Sequence, residues 1–290
     1  MKIVSSFLMD LNLKTGEYHA FNFESTYLLK LFKYHINAFF NRKKQTDSVF
    51  VSILDDNNRE MKAKEFYFIN FDSSYNNLET EKETKKQIQE ILFHQLENNP
   101  ILLEKLTSIH EHIMNFTNEI ELENERLSVH FHANDNTIKK LIQALEIDIE
   151  YCNDEYIPNH KLREFIISFL LSMNNEDKIP VLLVSNPETD VGRLEFNEVI
   201  NFLQCLNITV LVLSSQQEFL ISADDQQLFL VNKMGVTYDI MFLRRELMSF
   251  SIVSKNSDYK LVRTIALRDF NKNYQLMDEG IKSFLASNKC

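Results

Sequence analysis

The sequence is poor in the residues that interrupt regular structure, with four glycines and four prolines in 290 residues. Tight turns draw heavily on glycine and proline, and a β-sandwich needs many of them. The scarcity therefore argues against an all-β sandwich. Long helices and plain strands are expected to dominate the fold.

Cysteine and long apolar runs are scarce as well. The three cysteines, Cys152, Cys205 and Cys290, are scattered and show neither a CxxC pair nor a Cys/His ligand spacing. This argues against a disulfide framework and a zinc finger, and it fits a reducing compartment. Nowhere do about 18 uncharged apolar residues follow one another, so we expect a cytoplasmic protein without a membrane partner.

Charge is unevenly distributed along the chain. Acidic residues outnumber basic ones by 42 to 31, and a net charge of -11 argues against indiscriminate adhesion to nucleic acids or membranes. Residues 30–64 nevertheless hold eight bases and only four acids. This local excess fits a surface that binds a polyanion through its backbone, and it fits an ordinary solvated helix and loop equally well.

The first 77 residues read as strands around one helix. Residues 1–24 alternate polar and apolar positions, and Lys14-Thr15-Gly16 is a candidate hairpin turn between two strands. Ser25 is a candidate N-cap for a helix that ends at Asn41. The stretch KEFYFINF (64–71) is nearly all apolar, which predicts a central strand of a sheet.

Residues 78–127 differ in character, with no glycine and one proline, and with Glu, Lys, Leu and Ile at helical spacing. They predict two long helices that are broken near Pro100. Strands and helices alternate from about residue 137 to 232, which indicates βαβ crossovers and a parallel sheet. We therefore expect an α/β head from 1–77 and 137–235, an inserted helical leg at 78–136, and a C-terminal extension at 236–290 without a core of its own.

The segment PVLLVSNPETDVGR, residues 180–193, has the strand-loop-helix shape of a phosphate-binding loop. Such a loop needs several glycines and a Gly-Lys-Ser/Thr sequence, so that backbone N–H groups and a lysine reach the phosphates. This loop has one glycine and two acids, Glu188 and Asp190, which would repel phosphate. A plain connection after a buried strand is the favoured interpretation.

No reaction is indicated by the remaining chemistry-bearing residues. His130 and His132 could share a metal ion on a strand, but no further ligand has zinc-site spacing. There is no GxSxG elbow, and Cys205 lies in an apolar helix that would raise its pKa. We therefore expect a protein that is not an enzyme.

The acidic stretch 118–125, followed by Asp135, is a candidate cation site. Ten acids face three bases between residues 117 and 155. Calcium takes several oxygen ligands, and converging carboxylates at a hinge can supply them. A solvated acidic face is the alternative and the plainer interpretation, since no EF-hand loop is present.

Several segments together resemble a known family. They are LENNPILLEKLTSIHEHI (96–113), LENE (122–125), TIKKLIQALEIDIE (137–150), VLLVSN (181–186), NITVLVLSSQQEFL (207–220) and LFLVNK (228–233). In order and pattern they are similar to the CRISPR-associated type II-A adaptation proteins, the Csn-two family. The resemblance covers residues 17–236, and the chain looks like a longer subgroup with an additional C-terminal segment.

The resemblance implies a fold and a function. Members of this family have a P-loop-ATPase-like α/β head without a working nucleotide site and an inserted helical leg. They form calcium-stabilised homotetrameric rings whose lysine-lined hole threads double-stranded DNA by its ends, without sequence preference. They act in spacer acquisition for antiviral defence, together with the CRISPR integrase complex and the effector nuclease.

The resemblance also implies candidate site residues. The LENE segment matches the region in which the family gathers calcium ligands, which nominates Glu121, Glu123, Glu125 and Asp135. The lysines that line the ring follow no sharp motif, so the DNA-binding candidates are drawn from the basic segment, with two later lysines as a second choice. They are Arg42, Lys43, Lys44, Lys62 and Lys64, followed by Lys139 and Lys140.

Two other functions compete with DNA binding. One is a nucleotide-binding or nucleotide-hydrolysing α/β protein that uses the loop at 180–193. The other is a scaffold in which the helical arm binds a partner and no DNA is involved. The first needs a phosphate cradle in that loop, and the second leaves the basic segment without a role.

Overall fold

The structure is a computed structural model that describes residues 1–46, 48–73, 89, 99–119, 121–124, 127–130, 140, 158–172, 174, 178–250, 252 and 259–287. The chain forms two compact units. The head unit comprises Met1–Asn76 and Ile157–Cys290, and the inserted unit comprises Asn77–Tyr156. Residues 137–156 thus fall in the inserted unit and 236–290 in the head unit, whereas the sequence predicted a head that ran from 137 to 235.

Short strands and mostly longer helices make up the described part of the chain. The strands are β1 (Lys2–Ser5), β2 (Leu11–Asn12), β3 (Tyr18–Phe23), β4 (Val51–Leu54), β5 (Phe66–Asp72), β6 (Glu121–Asn124), β7 (Leu127–His130), β8 (Ile179–Ser185), β9 (Thr209–Leu213) and β10 (Leu228–Val231). The helices are α1 (Thr26–Phe40), α2 (Pro100–Glu119), α3 (Asn159–Ser172), α4 (Phe196–Cys205), α5 (Gln217–Ile221), α6 (Ile240–Ser249), α7 (Tyr259–Phe270) and α8 (Glu279–Ser287).

A sheet of five parallel strands is the centre of the head unit. Its strand order is β10, β3, β9, β8, β5. All five residues of β9 are buried, and the Val181–Ser185 part of β8 is buried too, because helices cover both faces of a parallel sheet. The expected α/β class with a mainly parallel sheet is confirmed.

A second, antiparallel sheet of the order β2, β1, β4 lies in the same unit. One apolar core joins it to the main sheet through α1. This core contains Ile3 and Ile53 from the small sheet, Phe32 and Ile36 from α1, and Phe21 from the main sheet. Helix α1 therefore packs against both the small antiparallel sheet and the main sheet.

Two predictions about these sheets are wrong. Lys14-Thr15-Gly16 does form a turn, with Gly16 at φ 82°, but the strands that flank it enter different sheets instead of pairing as a hairpin. Strand β5 was expected at the centre of the sheet, and within the described residues it pairs only with β8. It can be apolar at the edge because α1 packs against one face and buries Phe66, while Phe71 on the other face lies beside His160 and Ile167 of α3.

The inserted unit contains α2 and the hairpin of β6 and β7. Helix α2 begins at Pro100, as predicted, but it ends at Glu119, whereas the sequence predicted a helix up to residue 127. Residues 121–124 are a strand because they pair antiparallel with 127–130. The predicted helix before Pro100, and the first part of the predicted alternation of strands and helices that starts at about residue 137, lie outside the described residues except for helical Gln89 and Lys140.

The C-terminal segment belongs to the core of the head unit. Helices α6, α7 and α8 bury Leu247, Val262, Ala266 and Phe284. Helix α7 packs against both α5 and α6. Among the described residues, no helix is both long enough and apolar enough to cross a membrane.

Candidate nucleic-acid interface

An open cleft of about 530 Å³ lies where α1 ends and the chain returns toward β5. Three of the five first-choice cationic residues line it, and the rest of the lining is one acid and a small apolar floor. The lining residues are Phe39, Arg42, Glu60, Met61, Lys62, Ala63 and Lys64. The fold therefore brings together two parts of the basic segment that are 20 residues apart in sequence.

Arg42 reaches the cleft through the way in which α1 ends. The N–H of Arg42 donates to the carbonyl of Phe39 at 3.1 Å, and the N–H of Lys43 donates to that of Ala38 at 2.8 Å. This pair of bonds is a Schellman motif, in which the residue after the cap takes a left-handed conformation. Arg42 has φ 53°, so a position that favours glycine is occupied by a cation. The negative end of the α1 dipole faces the same turn.

Gln45 holds the loop that follows Arg42 against the small sheet. Its side-chain amide donates to the carbonyl of Val51 at 3.0 Å and accepts from the N–H of Val51 at 2.8 Å. Its oxygen also lies 3.0 Å from Nδ1 of His35. These contacts keep Lys43 and Lys44 exposed beside the cleft. Sequence reasoning missed Gln45, since a lone glutamine after a basic run carries no distinctive signal.

Two of the acids near Lys62 and Lys64 already have partners, namely Asp55 and Glu65. Arg59 lies 3.0 Å from Asp55 and 3.0 Å from Glu65. The backbone N–H of Lys62 donates to Glu65 at 2.6 Å, which lowers the pKa of that carboxyl. The Lys62 and Lys64 side chains are exposed and form no ion pair within the described residues, and the same holds for Arg42, Lys43 and Lys44.

The cleft is cationic but not purely so. Glu60 lines it beside Lys62, and the sequence pattern did not single this acid out. Met61 is buried and its N–H donates to the carbonyl of Ile53 at 2.8 Å, which fixes the backbone between Glu60 and Lys62. Three cations against one acid leave the cleft with a net positive charge, and such a site suits phosphate groups.

The other candidate residues lie in the inserted unit. Lys140 is exposed on a helical position, and Lys139 lies outside the described residues. Glu121 and Glu123 are on β6, opposite His130 and Ser128 of β7.

Of the remaining proposed calcium ligands, Glu125 and Asp135 lie outside the described residues. Within the part of the chain that the structure describes, no group of three or more His, Cys, Asp or Glu side chains has the geometry of a metal site.

The carboxyl edge of the main sheet, where α/β proteins usually bind ligands, is occupied by the protein's own side chains. Asp72 accepts from Lys33 at 2.5 Å and from Asn186 at 3.3 Å. Glu188 accepts from the Ser214 hydroxyl at 2.9 Å and from the Ser215 N–H at 3.4 Å. Two carboxylates therefore lie where a nucleotide phosphate would need donors.

Arg163 of α3 also binds the loop that follows β8. The Arg163 guanidinium donates to the carbonyl of Thr189 at 2.5 Å and to that of Ser73 at 3.4 Å. Burial lowers the pKa of Arg163, and nearby Asp190 opposes that shift. The N–H of Gly192 donates to Glu195 at 2.9 Å. The backbone N–H of the one glycine in this loop is therefore bonded to a side chain of the protein and is not available to a phosphate.

The junction between β3 and α1 is shorter still, and nothing in its sequence marks it as a site. Only Glu24 and Ser25 separate the two elements. Glu24 lies 3.5 Å from the Lys233 ammonium, and the Ser25 hydroxyl caps α1 by accepting from the N–H of Leu28 at 3.3 Å. This junction has no glycine and no room for a phosphate loop.

Comparisons with known proteins show a structural similarity. No protein-family profile and no curated protein matches the chain. Among solved structures, the chain is similar to Stu0660 of Streptococcus thermophilus, with 15% sequence identity and a TM-score of 0.56. The similarity covers 99% of this chain and 99% of that chain. At this identity the match establishes a shared fold, which includes the C-terminal segment.

Proposed function

We propose that this protein is a CRISPR-associated type II-A adaptation protein of the Csn-two family. In this proposal it binds the ends of double-stranded DNA without sequence preference and carries out no reaction itself. It acts in spacer acquisition, in the cytoplasm, together with the CRISPR integrase complex and the effector nuclease. It does so as a homotetrameric ring that calcium stabilises.

The observation that carries the proposal is the cationic cleft. A net-negative chain of charge -11 concentrates Arg42, Lys62 and Lys64 around one opening and pairs none of them with an acid in the described residues. Exposed cations without a partner in the described part of the chain are available for phosphates. Contacts to phosphates are indifferent to sequence and weaken steeply as salt rises.

The fold supports the proposal in a second way. The chain combines an α/β head with an inserted unit, as the resemblance implies, and the carboxyl edge of the head is filled by Asp72 and Glu188 with their partners. A head without a phosphate cradle agrees with a family that has lost nucleotide binding. The DNA phosphates are then bound by a different surface of the same head.

The decisive experiment compares linear and covalently closed circular duplexes of equal length in a gel-shift assay. Threading through a ring requires a free end, so the linear DNA should bind and the circle should not. Affinity for the linear DNA should fall on the order of tenfold or more between 50 and 200 mM salt. Equal binding to the circle would exclude threading, and absence of binding to both would exclude the proposed function.

A matched pair of variants tests whether the cleft is the interface. Arg42→Glu with Lys62→Glu and Lys64→Glu, the three cations that line the cleft, should weaken binding to linear DNA at least about tenfold, because three phosphate contacts become repulsions. Lys105→Glu with Lys260→Glu and Lys272→Glu makes the same change in net charge at exposed lysines elsewhere in the chain. Equal losses for the two triple variants would show that net charge, and not the cleft, governs binding.

The calcium and ring components need a separate measurement. Light scattering should give four times the chain mass with calcium and a smaller mass with a chelator, because calcium offsets the repulsion between converging carboxylates. Glu121→Gln with Glu123→Gln should stay at the smaller mass in calcium. Glu104→Gln with Glu111→Gln, on α2, should behave as the unaltered protein does. A monomer in both conditions would defeat the ring.

Calorimetry with ATP and magnesium tests the rival function. We expect no heat of binding, since Glu188 and Asp72 lie at the edge where phosphate donors are required. Binding in the micromolar range would favour a nucleotide-dependent protein instead.

A further inference from the structure

The outward face of α1 carries two exposed tyrosines on either side of an exposed lysine. Tyr27 is 69% exposed and Tyr34 is 62% exposed. Lys30 lies between them and is exposed as well. Positions i, i+3 and i+7 share one side of a helix, and seven residues span roughly 10 Å along its axis. The opposite side of α1 is buried, through Phe32 and Ile36.

The polar groups of these three side chains have no bonding partner within the described residues. Within the described residues, neither tyrosine hydroxyl forms a hydrogen bond and Lys30 forms no ion pair. The neighbouring Lys33 differs, since its ammonium lies 2.5 Å from Asp72. The Tyr34 ring stands at 81° to the ring of His35 with 5.0 Å between centroids, so its orientation is held although its surface is open.

The tyrosine face and the cationic cleft share helix α1. The helix carries Tyr27, Lys30 and Tyr34 on its outward side, and its C-terminal end contributes Phe39 and, beyond the last helical residue, Arg42 to the cleft. About 9 Å of helix separates Tyr34 from the last helical residue, Phe40, at 1.5 Å per residue. Phe39 lies on the other side of the helix, so an overhang that leaves a duplex in the cleft reaches the tyrosines by passing around the end of α1.

Exposed aromatic rings next to a cation are the surface on which unpaired bases stack. The base faces of an intact duplex are covered by their neighbours, whereas those of a single strand are open to a tyrosine ring, and an adjacent lysine neutralises the phosphate between two bases. We propose that Tyr27, Lys30 and Tyr34 bind unpaired nucleotides, a single-stranded overhang, at the end of a DNA duplex. This inference rests on the proposed function, because the cleft must hold the duplex next to the overhang.

The test uses fluorescence anisotropy with three labelled DNAs: a blunt duplex, the same duplex with an overhang of eight thymidines, and the thymidine strand alone. The protein should prefer the overhang duplex to the blunt one by about fivefold or more, which corresponds to the stacking of one base. Tyr27→Ala with Tyr34→Ala should remove the preference and leave blunt-end binding unchanged. Tyr27→Phe with Tyr34→Phe should keep the preference, because a phenyl ring still stacks.

A control and a direct readout accompany these variants. Phe165→Ala removes an aromatic ring that is 58% exposed on α3 and should leave all three affinities unchanged. A 2-aminopurine in the overhang should change its fluorescence on binding to the protein but not on binding to the double alanine variant, since stacking alters its emission. Thermal melting of each variant excludes unfolding as the cause.

The outcomes separate the two proposals. If the blunt duplex binds but the overhang adds nothing, or if the alanine variant weakens both duplexes equally, the overhang site is wrong and the proposed function stands. If the blunt duplex does not bind, while the thymidine strand and the overhang duplex bind equally and need the tyrosines, duplex binding is wrong and the tyrosine face binds unpaired nucleotides on its own. If no DNA binds, both are overturned.

Discussion

Arg42 has a backbone conformation that costs local stability, and in the proposed function it contacts a DNA phosphate. A left-handed backbone costs a residue other than glycine about 1–2 kcal/mol. Glycine or asparagine is usual at this position after a helix, yet the chain has arginine there, at φ 53°. The bond pattern of the Schellman motif over-determines the turn and keeps the guanidinium at the cleft.

Substitution of Arg42 separates stability from DNA binding. Arg42→Gly should raise the free energy of unfolding by about 0.5–1 kcal/mol, because relief of the left-handed strain exceeds the backbone entropy of a new glycine. The same change should weaken binding to linear DNA, because it removes a cation. Urea unfolding and gel shifts measure the two effects. A loss of stability together with a loss of binding would mean that Arg42 also supports the fold.

His19 makes stability depend on pH. The ring lies inside the head unit with Nε2 2.9 Å from the carbonyl of Lys14, and burial lowers its pKa to about 4 from 6.5. The unfolded chain therefore takes up a proton at a higher pH than the folded chain, and stability is lost as pH falls from about 6.5 to 4.

The size of the effect can be measured. Between pH 7 and pH 5 the His19 contribution should decrease by about 2 kcal/mol, as follows from the difference between the two pKa values. Urea unfolding at the two values should show this loss, and His19→Gln should reduce it while other groups keep their part. If both proteins lose the same stability, His19 is not the source.

At the scale of elements, the turn after β10 is fitted closely to the N-terminal segment. Gly235 has φ 77°, and a Cβ built there would lie 2.3 Å from the carbonyl oxygen of Phe7. Its own carbonyl accepts from the N–H of Met9 at 2.8 Å. The backbone of residues 7–9 thus passes directly over this turn.

Gly235→Ala should therefore lower the free energy of unfolding by at least about 2 kcal/mol, since it combines left-handed strain with a clash against backbone. Gly280→Ala is the matched control, because its added Cβ would meet only the side chain of Asp278, at 3.1 Å. Thermal unfolding of both variants measures the difference. Equal melting temperatures would contradict the close packing at Gly235.

The strands and helices differ in how well the sequence predicted them. The alternation of strands and helices that predicted a parallel sheet is confirmed at β8, β9 and β10, since a parallel strand covered on both faces is apolar at nearly every position. The place of β5 was not, because the same apolar run occurs at an edge that a helix covers. The strand at 121–124 was taken for helix, because four residues are too few to show a period.

The candidate interface could be predicted from the sequence only in part. The excess of bases at 30–64 is visible in composition, so Arg42, Lys62 and Lys64 could be named from the sequence. That they meet around one cleft depends on the turn after α1 and on Gln45, which are matters of tertiary contact. The tyrosine face of α1 was not predicted, and the structure identifies it through the exposure of Tyr27 and Tyr34 opposite the buried Phe32.

At the scale of the whole molecule, the C-terminal segment is bound to the head by buried charges. The Asp225 side chain is 5% exposed and lies 3.0 Å from Arg244 of α6 and 3.3 Å from Arg263 of α7. The guanidinium of Arg244 also stacks over the ring of Tyr259 at 3.9 Å. Three elements are therefore joined at one carboxylate.

Asp225→Ala should destabilise the protein by about 3–5 kcal/mol, because it leaves the buried Arg263 guanidinium without its carboxylate. Asp224→Asn changes the neighbouring, exposed acid and should have little effect. Urea unfolding checks both. If Asp225→Ala costs no more than Asp224→Asn, the C-terminal helices do not depend on this contact.

The strand order of the main sheet also has a consequence for synthesis. Strand β3 pairs with β9 and β10, and the N–H of Gly16 donates to the Thr209 hydroxyl, 193 positions later in the chain. At roughly 5–20 residues per second, a ribosome needs about 10–40 s to deliver those partners. Throughout that interval the nascent β3 has apolar side chains and no neighbours in its sheet. The newly made N-terminal part should therefore depend on chaperones until the last strand emerges.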